Sequence, residues 1–428
     1  MSAAREDALR ALLERPALRK VFAALAGDEL RVVGGAVRNA LLGAPVADID
    51  LAVAAVPEDV AAKAEAAGLR VVPTGIDHGT LTLIVDGAHF EVTSLREDVE
   101  TDGRRAKVRF GGDFAADAQR RDFTINALSL DARGALHDYV GGLDDLAARR
   151  VRFIGDPRQR IAEDYLRILR FFRFTAWYGA GPLDGAGLAA CIALRGGIAS
   201  LSRERLGAEM LKILAAPRAS QVIETMSQAG LLAFLGIAPW PGRCRRLAAI
   251  LAARGETDAL LSLGALALHS EADSERLTEA LRLSRAQKRR LAGMAKTAAA
   301  WHGAEAPPAP GQLREQLFLL GADAARDGLA LIQAENPAAP NDPGWRAAEA
   351  FLRDTPAPKL PFAASDLIAR GLQQGAGLGD ALKRLQAAWI RAGFPQDPKQ
   401  VAALIDHACD QPASGDPAQN SGWTRPRR

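Results

Sequence analysis

At 428 residues the chain is too long for one hydrophobic core, so several domains are expected. A hydrophobic content of 48% excludes wholesale disorder, and a net charge of +3 excludes a polycation that coats nucleic acid over its whole surface. Aromatics make up only 5%, and Ala, Leu and Arg dominate the second half, which favours helix over sheet for most of the chain.

Residues 5–25 read as an amphipathic helix that lacks the apolar region and cleavage site of a signal peptide. Leu30–Val33 is an apolar strand, Gly34-Gly35 a turn, and 36–42 a helix. Residues 48–53 (DIDLAV) begin with the polar-apolar alternation of a strand. A helix over 57–67 and a strand over 69–72 follow. Residues 80–85 and 89–93 then form a hairpin around Asp86-Gly87. This strand-rich part ends near residue 140 and reads as a small α/β or α+β domain.

Beyond it the pattern is helical. Asp156-Pro157 opens a long helix, with Asp as N-cap, Pro at the first position and Gln159 at the third. Helices are predicted at 202–215, 218–231, 243–254, 257–269, 273–283, 285–301 and 311–321, with a last block over 363–408. Pro/Ala-rich breaks fall at 303–310 and 335–344, and the polar, Pro-rich tail from residue 411 is expected to be disordered. Cys191, Cys244 and Cys409 are far apart without a CxxC spacing, which points to a reducing compartment and no structural zinc. No apolar run nears the roughly 20 residues of a membrane span. A cytoplasmic protein is expected.

Asp48 and Asp50 stand two apart on one strand and so share a face. Glu91, in the strand HFEV, joins them if the two strands are neighbours. Three such carboxylates can hold two Mg²⁺ ions for nucleotidyl transfer; the competing reading is a solvated strand end. Upstream, Gly34 and Gly35 lie between a strand and a helix, where bare backbone and a helix N-terminus can meet phosphate. Arg38 follows one turn later. Neither a GxxxxGK[ST] loop nor a GxGxxG turn is present. From Arg149 to Arg173 eight Arg face three acidic residues, a basic stripe suited to polyphosphate or an RNA backbone, or otherwise a solvated helix face.

Together, the glycine turn, DID and the later h[DE]h strand resemble the polymerase-beta-type nucleotidyltransferase superfamily. GGAVRNALLG, DIDLA, RRDFTINAL over 120–128, DYVGG over 138–142, GDP leading into EDYLR at 163–167, and LSRERLGAEM over 201–210 narrow the resemblance. In that order they are similar to the class II CCA-adding tRNA nucleotidyltransferase and bacterial poly(A) polymerase family. The resemblance implies an α+β fold: a nucleotidyltransferase head over 1–150, a helical neck over 151–215, a body over 216–335 and a tRNA-binding tail over 336–410. It implies that Gly35 and Arg38 touch the nucleotide, that Arg121 contacts sugar or phosphate with Asp122 near the ribose, and that Asp164 and Arg167 form an amino-acid template for the base. Arg170 and Arg173 would support the nucleotide.

The base template also has a physical reading. Asp164, Arg167 and Arg170 step by three along one predicted helical face, with Arg173 continuing the row. Asp accepts from an exocyclic amino group and Arg donates to a ring acceptor. C and A present that pair, whereas U and G present a carbonyl and an N–H. Each buried mismatch costs on the order of 1–3 kcal/mol. The competing reading is an i,i+3 surface ion pair worth about 0.2–0.5 kcal/mol.

The expected activity is template-independent addition of C, C and A to the tRNA 3′ end from CTP and ATP, assisted by Mg²⁺. Poly(A) addition is the rival, and a catalytically inactive tRNA-binding module or chaperone is the alternative of another class. The segment DHGT at 77–80 lacks the basic Arg/Lys-Arg/Lys-Phe pattern of the bacterial poly(A) polymerases, and the tail is short. The charged segment REDVETDGRRAKVRF over 96–110 is the flexible loop that enzymes adding only A usually lack. One departure stands out: Asn39 occupies the position where the family usually has Asp. His137-Asp138 belongs to the DYVGG segment rather than to a metal-binding pair, His78 is assigned to a loop, and the six Trp are assigned to core packing.

Overall fold

The structure is a computed structural model, and it describes residues 3–75, 79–102, 105–110 and 112–410. The loop around His78 and the tail from 411 lie outside the described residues. The chain divides into two compact units. One comprises 1–241 with 279–283, the other 242–278 with 284–428.

The first unit begins with helices α1 (Ala3–Leu13) and α2 (Pro16–Ala24). The single helix expected over 5–25 is broken because Pro16 starts a new helix and lacks the N–H that would continue the old one. Then follow β1 (Leu30–Val33), α3 (Gly35–Leu41), β2 (Ile49–Val53), α4 (Pro57–Ala66), β3 (Arg70–Gly75), β4 (Thr80–Val85) and β5 (Ala88–Ser94). A two-stranded ribbon of β6 (Arg96–Asp102) and β7 (Arg105–Phe110) covers the segment expected to be a flexible loop. After α5 (Phe114–Arg120) come the short strands β8 (Ser129–Asp131) and β9 (Leu136–His137) and helix α6 (Gly142–Ala147).

Seven strands form one sheet in the order β3-β4-β5-β2-β1-β8-β9. Only β2 and β5 pair in parallel; the other neighbours are antiparallel. The β4–β5 hairpin turns at Asp86-Gly87, where both residues have positive φ (51° and 79°), as a tight two-residue turn matched to strand twist requires. Helix α5 covers part of one sheet face by packing Phe114 against Val33, Ala52 and Leu95.

Helices α7 (Pro157–Glu163), α8 (Leu166–Tyr178), α9 (Gly185–Leu194), α10 (Arg203–Leu214), α11 (Ala219–Gln228) and α12 (Leu231–Phe234) complete this unit. The long helix expected from Asp156 is two helices. Its Asp156 N-cap forms as predicted, accepting from Arg158 N at 3.0 Å. Asp164, however, is extended (φ −155°, ψ 108°) and ends α7, and its own carboxylate accepts from Leu166 N at 3.0 Å to start α8. Asp164 therefore does not share a helical face with Arg167, Arg170 and Arg173, which do lie together on α8. The buried rings of Phe123, Phe153, Phe171 and Phe174 join α8 to the strand-rich part, with centroid separations of 4.8 Å for Phe123–Phe153 and 5.2 Å for Phe123–Phe174.

The second unit is helical: α13 (Pro241–Arg254, after its first residue), α14 (Ala259–Ala267), α15 (Glu271–Leu281, whose last three residues count with the first unit), α16 (Arg285–Trp301), α17 (Pro310–Leu320), α18 (Ala322–Glu335), α19 (Pro343–Asp354), α20 (Ala364–Ile368), α21 (Ala376–Arg391) and α22 (Pro398–Asp410). Trp301 and Trp345 pack in one core and Trp389 in another. Trp177 and Trp240, in contrast, are exposed, so the core assignment does not hold for them. Among the described residues no helix is long and apolar enough to cross a membrane.

Candidate active site

The glycine turn is held by backbone geometry. Gly34 (φ 67°, ψ −120°) donates its N–H to Leu128 O at 3.0 Å, and a Cβ there would lie 3.0 Å from an Arg121 guanidinium nitrogen. Both the conformation and the close approach call for glycine. Gly35 then starts α3, which carries Arg38 one turn later.

Strand β2 places Asp50 on the exposed face and buries Ile49 and Leu51. Asp48 lies one residue ahead of the strand and is also exposed. The parallel ladder sets Asp50 directly beside Glu91 on β5. Partial enclosure by the surrounding protein and the like charge of Glu91 push the Asp50 carboxyl above its ordinary value, with Asp48 adding and Arg121 opposing. Among the described residues no three acidic, His or Cys side chains stand close enough to hold one ion between them. The donor set nevertheless fits a divalent cation: three exposed oxygen-bearing groups, with like-charge crowding at Asp50 that a cation would relieve.

Beside Asp50 lies a cleft of about 500 Å³. It is lined by Gly34, Gly35, Arg38, Asp50, Arg121, Asp122, Asp164, Arg167, Arg170 and Arg173, so it gathers every residue expected to meet the nucleotide. Glu91 and Asp48 are not in the lining. Asn126, Leu166, Phe174 and Arg205 are, and sequence reasoning did not single them out. Six Arg face three Asp across the cleft, a balance that favours a polyanion.

Each cleft residue has a fixed support. Arg38 is buried; its guanidinium donates to Asn126 Oδ1, to Tyr178 OH at 2.8 Å and to Asn39 Oδ1 at 2.9 Å. Burial lowers its pKa from the usual guanidinium value, and the neighbouring Tyr178 works against that. Asn39 also donates Nδ2–H to Pro45 O at 2.9 Å. A carboxylate at this position has no proton to give that carbonyl, so the family's Asp would not make the same bond.

Arg121 donates to Asp117 at 2.9 Å and to Asn126 O at 3.3 Å. Asp122 is buried and fully engaged: one oxygen accepts from Phe123 N (2.9 Å) and Asn126 Nδ2 (3.1 Å), the other from Arg170 Nε (2.6 Å). Arg173 Nε donates to Glu209 at 2.6 Å. Arg167 does not pair with Asp164. It donates to Glu163, one turn back, and to Arg160 O at 2.8 Å, while Asp164 Oδ2 accepts from Arg205 at 2.8 Å. The i,i+3 ion pair weighed from sequence is thus replaced by two separate pairs.

The DYVGG segment supports the site from behind. Asp138 accepts from Val140 N, Gly142 N and Leu143 N at 2.8–3.1 Å. A Cβ on Gly142 would meet Thr124 O at 2.3 Å, so glycine lets α6 sit against the turn that carries Asn126. His137 contacts Asp131, not Asp138, at 3.3 Å.

Comparison with known proteins matches residues 30–152 to the "Poly A polymerase head domain" and 184–238 to the "Probable RNA and SrmB- binding site of polymerase A". The chain is 39% identical over 264 residues to the mitochondrial CCA tRNA nucleotidyltransferase 1 of Danio rerio, covering 61% of each protein. It is 41% identical over 222 residues to the CCA-adding enzyme of Streptococcus gordonii, covering 51% of this chain and 54% of the relative. These alignments span only about half to three fifths of the curated relatives' length. The crystal structure of the Bacillus stearothermophilus CCA-adding enzyme in complex with CTP matches at a TM-score of 0.70 and 27% identity, over 95% of this chain and 98% of that one.

A mixed sheet carrying two register-paired acids, a glycine turn and an arginine-lined cleft defines a polymerase-beta-type nucleotidyltransferase head followed by helices. Over residues 30–152 and 184–238 the chain is similar to the poly(A) polymerase head and RNA-binding segments, and over most of its length its fold is similar to that of a CCA-adding enzyme.

Proposed function

We propose that the protein adds C, C and A to the 3′ end of tRNA from CTP and ATP without a nucleic-acid template, releasing pyrophosphate. The observation that carries this is the cleft: nine residues expected to meet the nucleotide line one cavity, and Asp50 opens onto it. The names of the relatives, CCA-adding enzymes and a CCA tRNA nucleotidyltransferase, support the same substrate. Their name also distinguishes this reading from poly(A) addition, the activity after which the matched head model is named.

Asp48, Asp50 and Glu91 would hold Mg²⁺, at two sites. Bound there, the metal supplies Lewis-acid activation of the attacking 3′-hydroxyl and charge stabilisation at the triphosphate. The chain's own residues do the rest. The turn at Gly34-Gly35 leaves space for phosphate beside the start of α3. Arg38, Arg121, Arg170 and Arg173 offer guanidinium donors to phosphate and sugar oxygens. Asp164 and Arg167 would face the base, the first accepting from its amino group and the second donating to its ring nitrogen. Asp122 buttresses Arg170 from below, and its engaged oxygens leave ribose contact to its neighbours. The division into head, neck, body and tail, with the last two gripping tRNA by its backbone and shape, belongs to the same proposal. So does a cytoplasmic location, which the three free cysteines suit.

The test is incubation with tRNA lacking its 3′ end, with each nucleotide alone and then mixed. Extension by three residues that stops at CCA is expected. A long A ladder would replace this reading with poly(A) addition, and no magnesium-dependent incorporation would leave an inactive RNA-binding protein.

A further inference from the structure

Phe174 sits at the floor of the cleft, is almost wholly buried, and has three guanidinium groups around its ring: Arg173 at 4.2 Å, Arg38 at 5.2 Å and Arg170 at 5.4 Å from the centroid. The ring is itself fixed. Phe123 meets it edge-on at 5.2 Å, and Tyr178, whose own ring lies 4.0 Å from Arg38, stacks against it at 5.9 Å. Their polar anchors differ: Arg38 uses Asn126 and Arg170 uses Asp122, two hydrogen-bonded residues of one segment, while Arg173 uses Glu209 on α10. Phe174 is the group they share.

Like charges gathered in one cleft repel. The nearness of Arg173 is one of the influences that lower the Arg38 pKa. An aromatic face carries negative quadrupole density that attracts cations, most strongly where water is excluded. We propose that Phe174 is a positioning residue for nucleotide binding, its ring holding Arg38, Arg170 and Arg173 together as a preformed receptor for the triphosphate. Preforming the cluster removes the cost of ordering three long side chains when the ligand arrives. This inference rests on the nucleotide reading of the cleft.

The test is CTP and ATP binding by the full chain carrying mono-, di- or trifluorinated phenylalanine at position 174. Fluorination drains the ring quadrupole while nearly keeping its shape. The dissociation constant is expected to rise stepwise along the series, to about three- to tenfold at trifluorination, with the thermal midpoint nearly constant. Phe174→Leu should bind as weakly as the trifluorinated protein, and Phe174→Tyr should restore affinity. A flat series around a wild-type protein that binds both nucleotides would overturn the inference and leave the nucleotide reading intact. A wild-type protein that binds neither nucleotide would remove both.

Discussion

Arg170 Nε donates to Asp122 Oδ2 at 2.6 Å across 48 residues of sequence, tying helix α8 to the RRDFT segment of the head. The Asp122 carboxylate is nearly inaccessible, and its second oxygen caps local backbone at Phe123. Removing it leaves a half-buried guanidinium without a counter-charge. Asp122→Ala is expected to lower unfolding free energy by about 2–4 kcal/mol, and Arg170→Ala by less. A double-mutant cycle in urea should return a coupling near 1 kcal/mol or more; independent effects would show that the pair holds nothing together.

The paired acids should be separable from nucleotide affinity. Asp50→Ala and Asp48→Ala are each expected to abolish incorporation of both C and A while the protein remains folded and still binds CTP. Steady-state turnover within a few-fold of wild type in either variant would remove the metal-ligand assignment.

Selection among bases should depend on α8. Arg167→Ala is expected to bring UTP and GTP incorporation up toward that of CTP and ATP, since a lost donor removes a penalty of order 1–3 kcal/mol against the wrong ring edge. Competition assays with all four triphosphates measure this directly, and unchanged selectivity would exclude Arg167 as a reader.

Gly34→Ala tests the glycine turn. The new Cβ would strain a positive-φ residue by about 1–2 kcal/mol and would meet Arg121 at 3.0 Å. A modest stability loss with a larger loss of nucleotide affinity is expected, read by calorimetry on the same sample. Loss of stability alone would make the turn purely structural.

In the second unit, Asp273 accepts from His269 N and Ser270 N, each at 2.8 Å, and from Arg276 at 2.7 Å. Burial opposes ionisation, but these donors outweigh it and hold the carboxyl below its ordinary value. A depressed folded-state pKa means its stabilisation is complete above the usual carboxylate range and is lost as pH falls through the lowered value. Asp273→Asn should therefore lower stability at neutral pH and flatten its acid dependence. Parallel pH profiles for variant and wild type would contradict the assignment.

Much of this was legible in local chemistry. The strand-turn-helix around Gly34 and the Asp86-Gly87 hairpin each follow from two or three neighbouring residues and formed as read, whereas of the DID pair only Asp50 lies on the strand and Asp48 stands just ahead of it. The break at Asp164 was not legible, because a spacing of three is equally compatible with a continuous helix; only the carboxylate's choice to cap Leu166 decides it. The same holds for partners. Asp164 pairs with Arg205, 41 positions away, and Arg38 with Tyr178, 140 away, so no pattern within a segment could have announced them. Asn126 lay inside the quoted RRDFTINAL, but its role as a hub between Arg38 and Asp122 is purely tertiary.

The parallel register of β2 and β5 has a further consequence. The alignment of Asp50 with Glu91 is set by backbone hydrogen bonds of the sheet, whereas Arg167, Arg170 and Arg173 ride on a helix outside that sheet. If the acids carry the transfer and α8 the choice of base, as proposed, the two stand on different foundations: changes along α8 would alter which nucleotide is accepted while the sheet keeps Asp50 beside Glu91, and a new preference could arise by drift in one helix alone.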